Sequence, residues 1–202
     1  MLIEMETGKP EIVSEDKQIE RLLENTFAGL AVTQRLVHQT RKYEVSILSV
    51  AGRPEPELST LATIGLWRTL LTGPKTVDTS RLELVGIFES AKDGCREILA
   101  TAAYKIMRTH KQLVPGSAFQ DCVHDWYPKA NVPHLYFVEA AKWSFPRLRP
   151  SQMGNLNIHF LQALPITQSE FEYLQEHGNR ALESKFLAAA VNHWDFKRKA
   201  CV

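Results

Sequence analysis

A strand joined directly to a capped helix is encoded between Asn155 and Phe186, and this unit constrains the fold more than any other stretch. The mainly apolar run from Leu156 to Leu164 has the length and composition of a buried strand. Pro165 is expected to end that strand, because proline lacks the backbone donor that a ladder requires. A buried strand that leads straight into a helix favours a sheet with helices packed on it.

The helix of this unit carries its own start and stop signals. Thr167 and Glu170 have the spacing of a capping box, in which each side chain accepts a hydrogen bond from the other residue's backbone amide. Phe171 and Leu174 follow at one-turn spacing, and Gly178 is expected to end the helix in a left-handed conformation. None of these residues is typical of catalytic machinery, so the unit predicts architecture and not chemistry.

Hydrophobic periodicity predicts the remaining elements. Helices are expected over residues 15–28, 92–109 and 180–190, and the segment 31–38 fits either a strand or a continued helix. Strands are expected over 43–50, 59–67, 81–89 and 134–140, with a short edge strand within 117–123 and irregular structure over 142–155. Strands and helices interleave without regular alternation. We therefore predict a flexible arm over 1–14 and one α/β domain of the α+β type over 15–202. Its sheet is expected to be mixed or largely antiparallel and flanked by helices.

The composition excludes several classes of protein. Twenty-four basic and 23 acidic residues leave a formal charge of +1, which disfavours a nucleic-acid partner. No window reaches the roughly 20 apolar residues of a membrane span, so no membrane partner is expected. The acidic N-terminus lacks a secretion signal, and the 3 widely spaced cysteines suit reduced thiols. These features predict a cytoplasmic protein.

Recognised catalytic and cofactor motifs are absent from the sequence. The 7 histidines form no His-x-x-x-His pair, and there is no G-x-S-x-G elbow or glycine-rich phosphate loop. We therefore predict no cofactor, no metal site and no catalytic residues. His124 beside Asp125 supports the competing hypothesis of a hydrolase-type enzyme whose site is assembled from loop residues.

An aromatic and basic segment between residues 126 and 149 is the unusual local composition. Aromatic and arginine side chains are favoured at interface centres because they bury a large area and still donate hydrogen bonds. The candidate partner-binding residues are Trp126, Tyr127, Lys129, His134, Tyr136, Trp143 and Arg147. The alternative interpretation places Trp126, Tyr136 and Trp143 in the core beneath a long loop. Single-stranded nucleic acid also suits such a segment, but the near-zero charge disfavours it.

The order of several landmarks resembles the bacterial branch of the suppressor of fused domain family. These landmarks are GRPEPELSTLATIGL, RLELVGIFE, ILATAAYKI, LVPGSAF, WYP followed by HLYF, and LQALPITQSEFEYLQEHGNRALE. The resemblance covers roughly residues 43–202, and LPITQSEFEYLQEHG is its most specific piece. The chain departs from the family pattern at Leu66-Trp67-Arg68 and at the Glu139–Lys142 segment before Trp143.

This resemblance implies a single α/β domain that binds a protein and catalyses no reaction. The larger animal relative restrains a transcription factor by gripping an extended peptide between two domains, and this chain has the length of one of them. Bacterial members resemble immunity proteins that neutralise a cognate toxin. The leading hypothesis is therefore a toxin-neutralising immunity protein that blocks its partner sterically. A regulator that captures an extended peptide on a sheet edge is a further alternative. The toxin, the contacting residues and the oligomeric state stay open.

Overall fold

Within the described residues, eight strands form one mixed sheet in the computed structural model. In chain order they are β1 (Ala31–Val37), β2 (Glu44–Ala51), β3 (Leu58–Ile64), β4 (Ser80–Glu89), β5 (Ala118–Phe119), β6 (His134–Glu139), β7 (Ser151–Met153) and β8 (Leu156–Ile166). Their spatial order is β1-β2-β3-β4-β8-β6-β5, with β7 paired to β8. The β4–β8 pair is parallel and the other pairs are antiparallel, which confirms the predicted mixed sheet.

The structure describes residues 14–40, 42–72, 80–90 and 92–202. The predicted flexible arm falls, apart from Ser14, outside the described residues and stays a prediction. Residues 73–79, which precede β4, also fall outside them.

The predicted helices are confirmed with small changes at their ends. They are α1 (Glu15–Phe27), α2 (Cys95–Thr109), α3 (Gln168–His177) and α4 (Asn179–Ala188), with short 3-10 turns at Leu66–Arg68 and Ala140–Lys142. Helix α2 starts later than predicted because Gly94, with φ of 86°, holds a turn directly before it. The ambiguous segment after α1 is the strand β1.

Helices cover both faces of the sheet, as its alternating residues require. Val45 and Ile47 of β2 belong to the core beneath α2, whereas Leu48 and Val50 pack with α1 on the opposite face. Helices α3 and α4 cover β6 and the end of β8 through Leu174, Leu182 and Phe186. The central strands are therefore buried on both sides.

The strand–helix unit from Asn155 to Phe186 is confirmed except at Pro165 and in the conformation of Gly178, which has a positive φ but lies outside the left-handed helical region. The capping box of Thr167 and Glu170 is present, and Gly178 follows α3 with φ of 79° and ψ of 171°. Strand β8 continues through Pro165 to Ile166, so the prediction that proline ends it is wrong. The Pro165 carbonyl accepts from Arg198 and not from β6, so its missing N–H lies on the side that β6 does not occupy.

Strand β7 lies in a segment that we predicted to be irregular. Ser151–Met153 folds back antiparallel on the start of β8, with Gly154 at φ of 59° in the turn. Three residues with one buried side chain, Met153, carry too little alternation to mark a strand in the sequence. The tight turn and the neighbouring strand decide its conformation.

Candidate partner-binding surface

A groove of about 650 Å³ separates α2 from the end of the β1–β2 hairpin. One wall is a stripe of α2 that lies beside its apolar face and includes Glu97, Thr101 and Tyr104. The opposite wall is formed by residues 36–39 and by Tyr43 of the hairpin. Trp126, from the loop between β5 and β6, also lines the groove. The groove therefore combines apolar and aromatic surface with charged groups, as protein-binding surfaces do.

Aromatic rings meet where the hairpin faces α2 in this groove. The ring of His38 meets Tyr104 edge-on with centroids 5.1 Å apart, and the centroid of the Tyr43 ring lies 5.9 Å from that of His38. The Tyr104 hydroxyl is buried and has no hydrogen-bond partner within the described part of the chain. Burial raises the pKa of Tyr104, with a further rise from Glu44 and Glu97. The hydroxyl therefore stays neutral, as a buried polar group behind the surface of the groove.

Trp126 is the most exposed aromatic side chain at this groove. The residue is 46% exposed, and its Nε1–H donates to Thr101 Oγ1 at 3.0 Å. That bond fixes the ring against α2 before any partner arrives, which lowers the entropy cost of using it as a contact. Acidic side chains of Glu97 and Asp125 and the basic Arg108 line the same groove.

The structure separates the predicted partner-binding residues into exposed and interior groups. Trp126, Lys129 and Arg147 are exposed, whereas Tyr127 is half-buried with its ring 5.2 Å from that of Phe196. Only Trp126 of this set lines the groove. The predicted set therefore does not form one continuous surface, and its role in binding stays a prediction.

His134 and Tyr136 have structural partners in the interior. The backbone N–H of Asp121 donates to His134 Nδ1 at 3.0 Å, and the other ring nitrogen meets Gln168 at 2.6 Å. The Tyr136 hydroxyl donates to Glu183 at 2.6 Å, and the ring is fully buried. Both side chains connect β6 to the α3–α4 layer.

Trp143 lies on the far side of the sheet from the groove. Its half-buried ring packs edge-on against Phe186 and His193, at centroid distances of 6.4 and 6.0 Å. The core interpretation that the sequence left open therefore applies to Tyr136 and largely to Trp143, but not to Trp126.

Sequence reasoning missed most of the groove. His38, Tyr43 and Tyr104 come from a hairpin and a helix that are distant along the chain. The available signal was the spacing of Glu97, Thr101 and Tyr104 on α2, which marks one helix face outside the apolar stripe.

The described residues show no arrangement of side chains at His124 and Asp125 that supports the hydrolase alternative. His124 and Asp125 are both exposed, and no cluster of metal-ligating side chains occurs in the described ranges. The buried groups with strongly shifted pKa values lie elsewhere. Burial raises the pKa of Glu83 to about 8 and lowers that of His193 to about 4. Neither residue lines the groove, although shifted groups ordinarily cluster at catalytic sites.

The extended-peptide alternative requires an accessible sheet edge. Strand β1 lies at one end of the spatial order of the described strands, and most of its residues are exposed. This edge therefore meets the requirement.

No helix in the described ranges is both long and apolar enough to cross a bilayer.

Comparison with known proteins identifies the family. A family model described as suppressor of fused protein matches residues 41–199. The immunity protein YqcF of Bacillus subtilis is 25% identical over 191 residues, which cover 95% of this chain and 99% of that protein. These matches span nearly the whole described domain.

Solved structures share the fold at lower sequence identity. A suppressor of fused homologue from Neisseria gonorrhoeae superposes with a TM-score of 0.68 at 18% identity, over 93% of this chain and 96% of that one. The Sufu–Fu complex gives 0.62 at 15% identity, over 92% and 91% of the two chains. Drosophila Suppressor of Fused gives 0.60 at 15% identity, over 92% of this chain and 50% of that chain. With its domain matched by the family model and its fold shared by these structures, the chain belongs to the suppressor of fused family.

Proposed function

We propose that this protein is an immunity protein that binds and neutralises a cognate toxin in the cytoplasm. The observation that carries the proposal is the end-to-end match to a protein named as an immunity protein, over 99% of its length. The family and the complex among its structural relatives support a protein as the partner.

The proposed mechanism is steric and involves no chemistry on the immunity side. The groove between α2 and the β1–β2 hairpin is a preformed surface on which part of the toxin would rest. The exposed Trp126 side chain would supply apolar and aromatic contact area. The charged groups at the rim would mainly set the association rate and the choice of toxin.

Coexpression with the adjacent gene in the native host tests this function. We expect a neighbouring reading frame to encode a protein that arrests growth alone, and we expect this chain to restore growth and to co-purify with it. A His124→Ala variant should protect as well as the wild type, because the mechanism uses no histidine catalyst. Failure of every adjacent product to arrest growth or to bind this chain would refute the proposal.

Alanine variants of two tryptophans separate interface from core. Trp126→Ala is expected to weaken toxin binding at least tenfold, about 1.4 kcal/mol, and to leave the melting temperature almost unchanged. Trp143→Ala should instead lower the free energy of unfolding by about 3 kcal/mol, because its ring packs against Phe186 and His193. Titration calorimetry and thermal denaturation measure the two effects. Equal binding by wild type and Trp126→Ala would remove the groove from the proposal.

A further inference from the structure

The outer edge of β1 presents backbone groups that no described residue pairs. The His38 N–H donates to the Tyr43 carbonyl at 2.9 Å, which fixes this pair as hydrogen-bonded. Because hydrogen-bonded and non-hydrogen-bonded positions alternate along an antiparallel ladder, the even-numbered residues of β1 bond to β2. The N–H and C=O groups that point away from β2 belong to Ala31, Thr33, Arg35 and Val37.

This edge also exposes apolar side chains. Leu30 is 89% exposed, Val32 57% and Val37 48%, and these three lie within one eight-residue stretch. Natural sheets commonly protect an edge with proline, several charges or a bulge. Strand β1 contains no proline and one charged residue, Arg35, and its register with β2 is unbroken. The unpaired N–H and C=O groups of such an edge can form hydrogen bonds with a strand of another chain.

We propose that β1 pairs antiparallel with β1 of a second copy of this chain, about a two-fold axis through Gln34. Gln34 is the midpoint of Ala31–Val37, so all seven residues take part. The outward groups then meet each other in register. Ala31 lies opposite Val37 of the partner subunit, and Thr33 lies opposite Arg35 of the partner subunit. Both are hydrogen-bonded pairs, and the two sheets become continuous.

Side chains on the α2 face are complementary in this register. Val32 lies opposite Leu36 of the partner subunit, which covers an aliphatic side chain that is otherwise exposed. Gln34 lies opposite Gln34 of the partner subunit, and two amides in that position satisfy each other's donors and acceptors. Cross-strand pairs of this kind are the unit that stabilises a sheet.

Charges on the opposite face agree with the same register. The Thr33 hydroxyl donates to Glu20 at 2.7 Å, so the Glu20 carboxylate lies directly beside Thr33. Arg35 of the partner subunit therefore arrives next to Glu20. In the single chain Arg35 pairs with Glu44, and both side chains are more than half exposed. That pair is weakly held, so Arg35 is free to bridge to the second subunit.

Neighbouring registers are worse. A shift of two residues in one direction places Arg35 opposite Arg35 of the partner subunit, and like charges directly opposite are destabilising. The same shift in the other direction leaves Val37 unpaired and exposed.

An extended peptide of another protein would use the same edge, but the sequence of β1 complements itself. This inference is independent of the proposed function, which concerns the groove, although Leu36 and Val37 border both surfaces.

A cysteine at the two-fold axis tests the register directly. Across the axis, position 34 faces its own copy in a non-hydrogen-bonded pair with Cα atoms about 4.5 Å apart. That separation lies within the roughly 4.4–6.8 Å range of disulfides. Gln34→Cys is therefore expected to form a covalent dimer under mild oxidation, seen on a non-reducing gel. Arg35→Cys is the matched control, because its two copies are diagonal neighbours about 7–8 Å apart.

Light scattering after size exclusion tests the association without a cross-link. We expect wild type to elute as a dimer. Arg35→Pro should elute as a monomer, because proline removes an outward N–H that the β1–β2 ladder does not use. Arg35→Ala keeps that N–H and should remain largely dimeric. A monomeric wild type, or equal cross-linking by the two cysteine variants, would overturn the proposal. Cys95 and Cys122 are buried but Cys201 is partly exposed, so both cysteine variants are made in a Cys201→Ser background, and that background protein should stay uncross-linked.

Discussion

Replacing Arg198 by alanine is expected to lower the free energy of unfolding by about 3–5 kcal/mol, because it leaves the Glu170 carboxylate buried without its counter-ion. The two guanidinium nitrogens of Arg198 donate to the two oxygens of Glu170 at 2.6 Å each, and the Glu170 side chain is fully buried. Chemical denaturation of both proteins at neutral pH measures the difference.

Arg68→Ala is the matched control for this substitution. Arg68 pairs with Asp16 at the surface, and its side chain is half exposed. Loss of such a pair typically costs about 0–1 kcal/mol. A similar small loss in both variants would show that the Glu170–Arg198 pair does not hold the C-terminal segment.

The same pair gives a pH dependence with a defined sign. Burial alone would raise the pKa of Glu170, but Arg198 and the backbone amides of Thr167 and Cys201 outweigh it and lower the pKa below 4.5. A lowered carboxyl pKa contributes stability above about 4.5 that is lost as the pH falls through the folded value. Arg198→Ala should therefore lose less stability than wild type on acidification. The result would be contradicted if the two proteins had parallel acid profiles.

Glu83→Gln is expected to make the protein more stable than wild type at alkaline pH. Glu83 is fully buried and accepts from the backbone N–H groups of Gly65 at 2.8 Å and Trp67 at 3.2 Å, and from the Thr63 hydroxyl. Burial outweighs these bonds and raises its pKa from 4.5 to about 8. A glutamine keeps an acceptor for the amides and donates to Thr63, so it reproduces the neutral acid.

The sign of this effect is opposite to that of Glu170. A raised carboxyl pKa contributes stability that is complete below 4.5 and is lost as the pH rises through about 8. At 1.36 kcal/mol per pH unit, wild type should lose about 4 kcal/mol relative to Glu83→Gln between pH 5 and 9. Denaturant titrations at both pH values measure this difference. His193 titrates in both proteins, so its contribution cancels in the comparison.

Glu83→Ala provides the control for the hydrogen bonds themselves. It should destabilise at every pH, because it leaves the amides of Gly65 and Trp67 without an acceptor. A pH-independent difference between wild type and Glu83→Gln would instead show that Glu83 stays ionised in the folded protein.

The structure gives a local role to Leu66–Arg68, where the sequence is expected to differ from the family pattern. The Trp67 indole donates to Asp16 at 2.8 Å, and Arg68 pairs with the same carboxylate. The Arg68 guanidinium also lies 5.4 Å from the centre of the Trp67 ring. These contacts join α1 to the turn that Glu83 holds, so this segment couples the first helix to the sheet.

Local signals determined most of the secondary structure. The capping box at Thr167, the glycine after α3 and the apolar stripe of α2 each depend on residues within a few positions, so the sequence alone predicts them. The same reasoning failed at Pro165. Whether a proline ends a strand depends on which neighbour its nitrogen faces, and that neighbour is distant along the chain.

What the sequence determined by itself is the family, the mixed sheet with helices and the alternation that buries both faces of its central strands. Tertiary structure alone decided which aromatic side chains are buried. Trp126 and Tyr136 are ten residues apart in one aromatic segment, yet one is 46% exposed and the other fully buried. It also decided that β1 is an edge and that His38 meets Tyr104 across a groove. The physical reason is that exposure and contact depend on packing between elements distant in sequence, whereas propensity and capping act within a few residues.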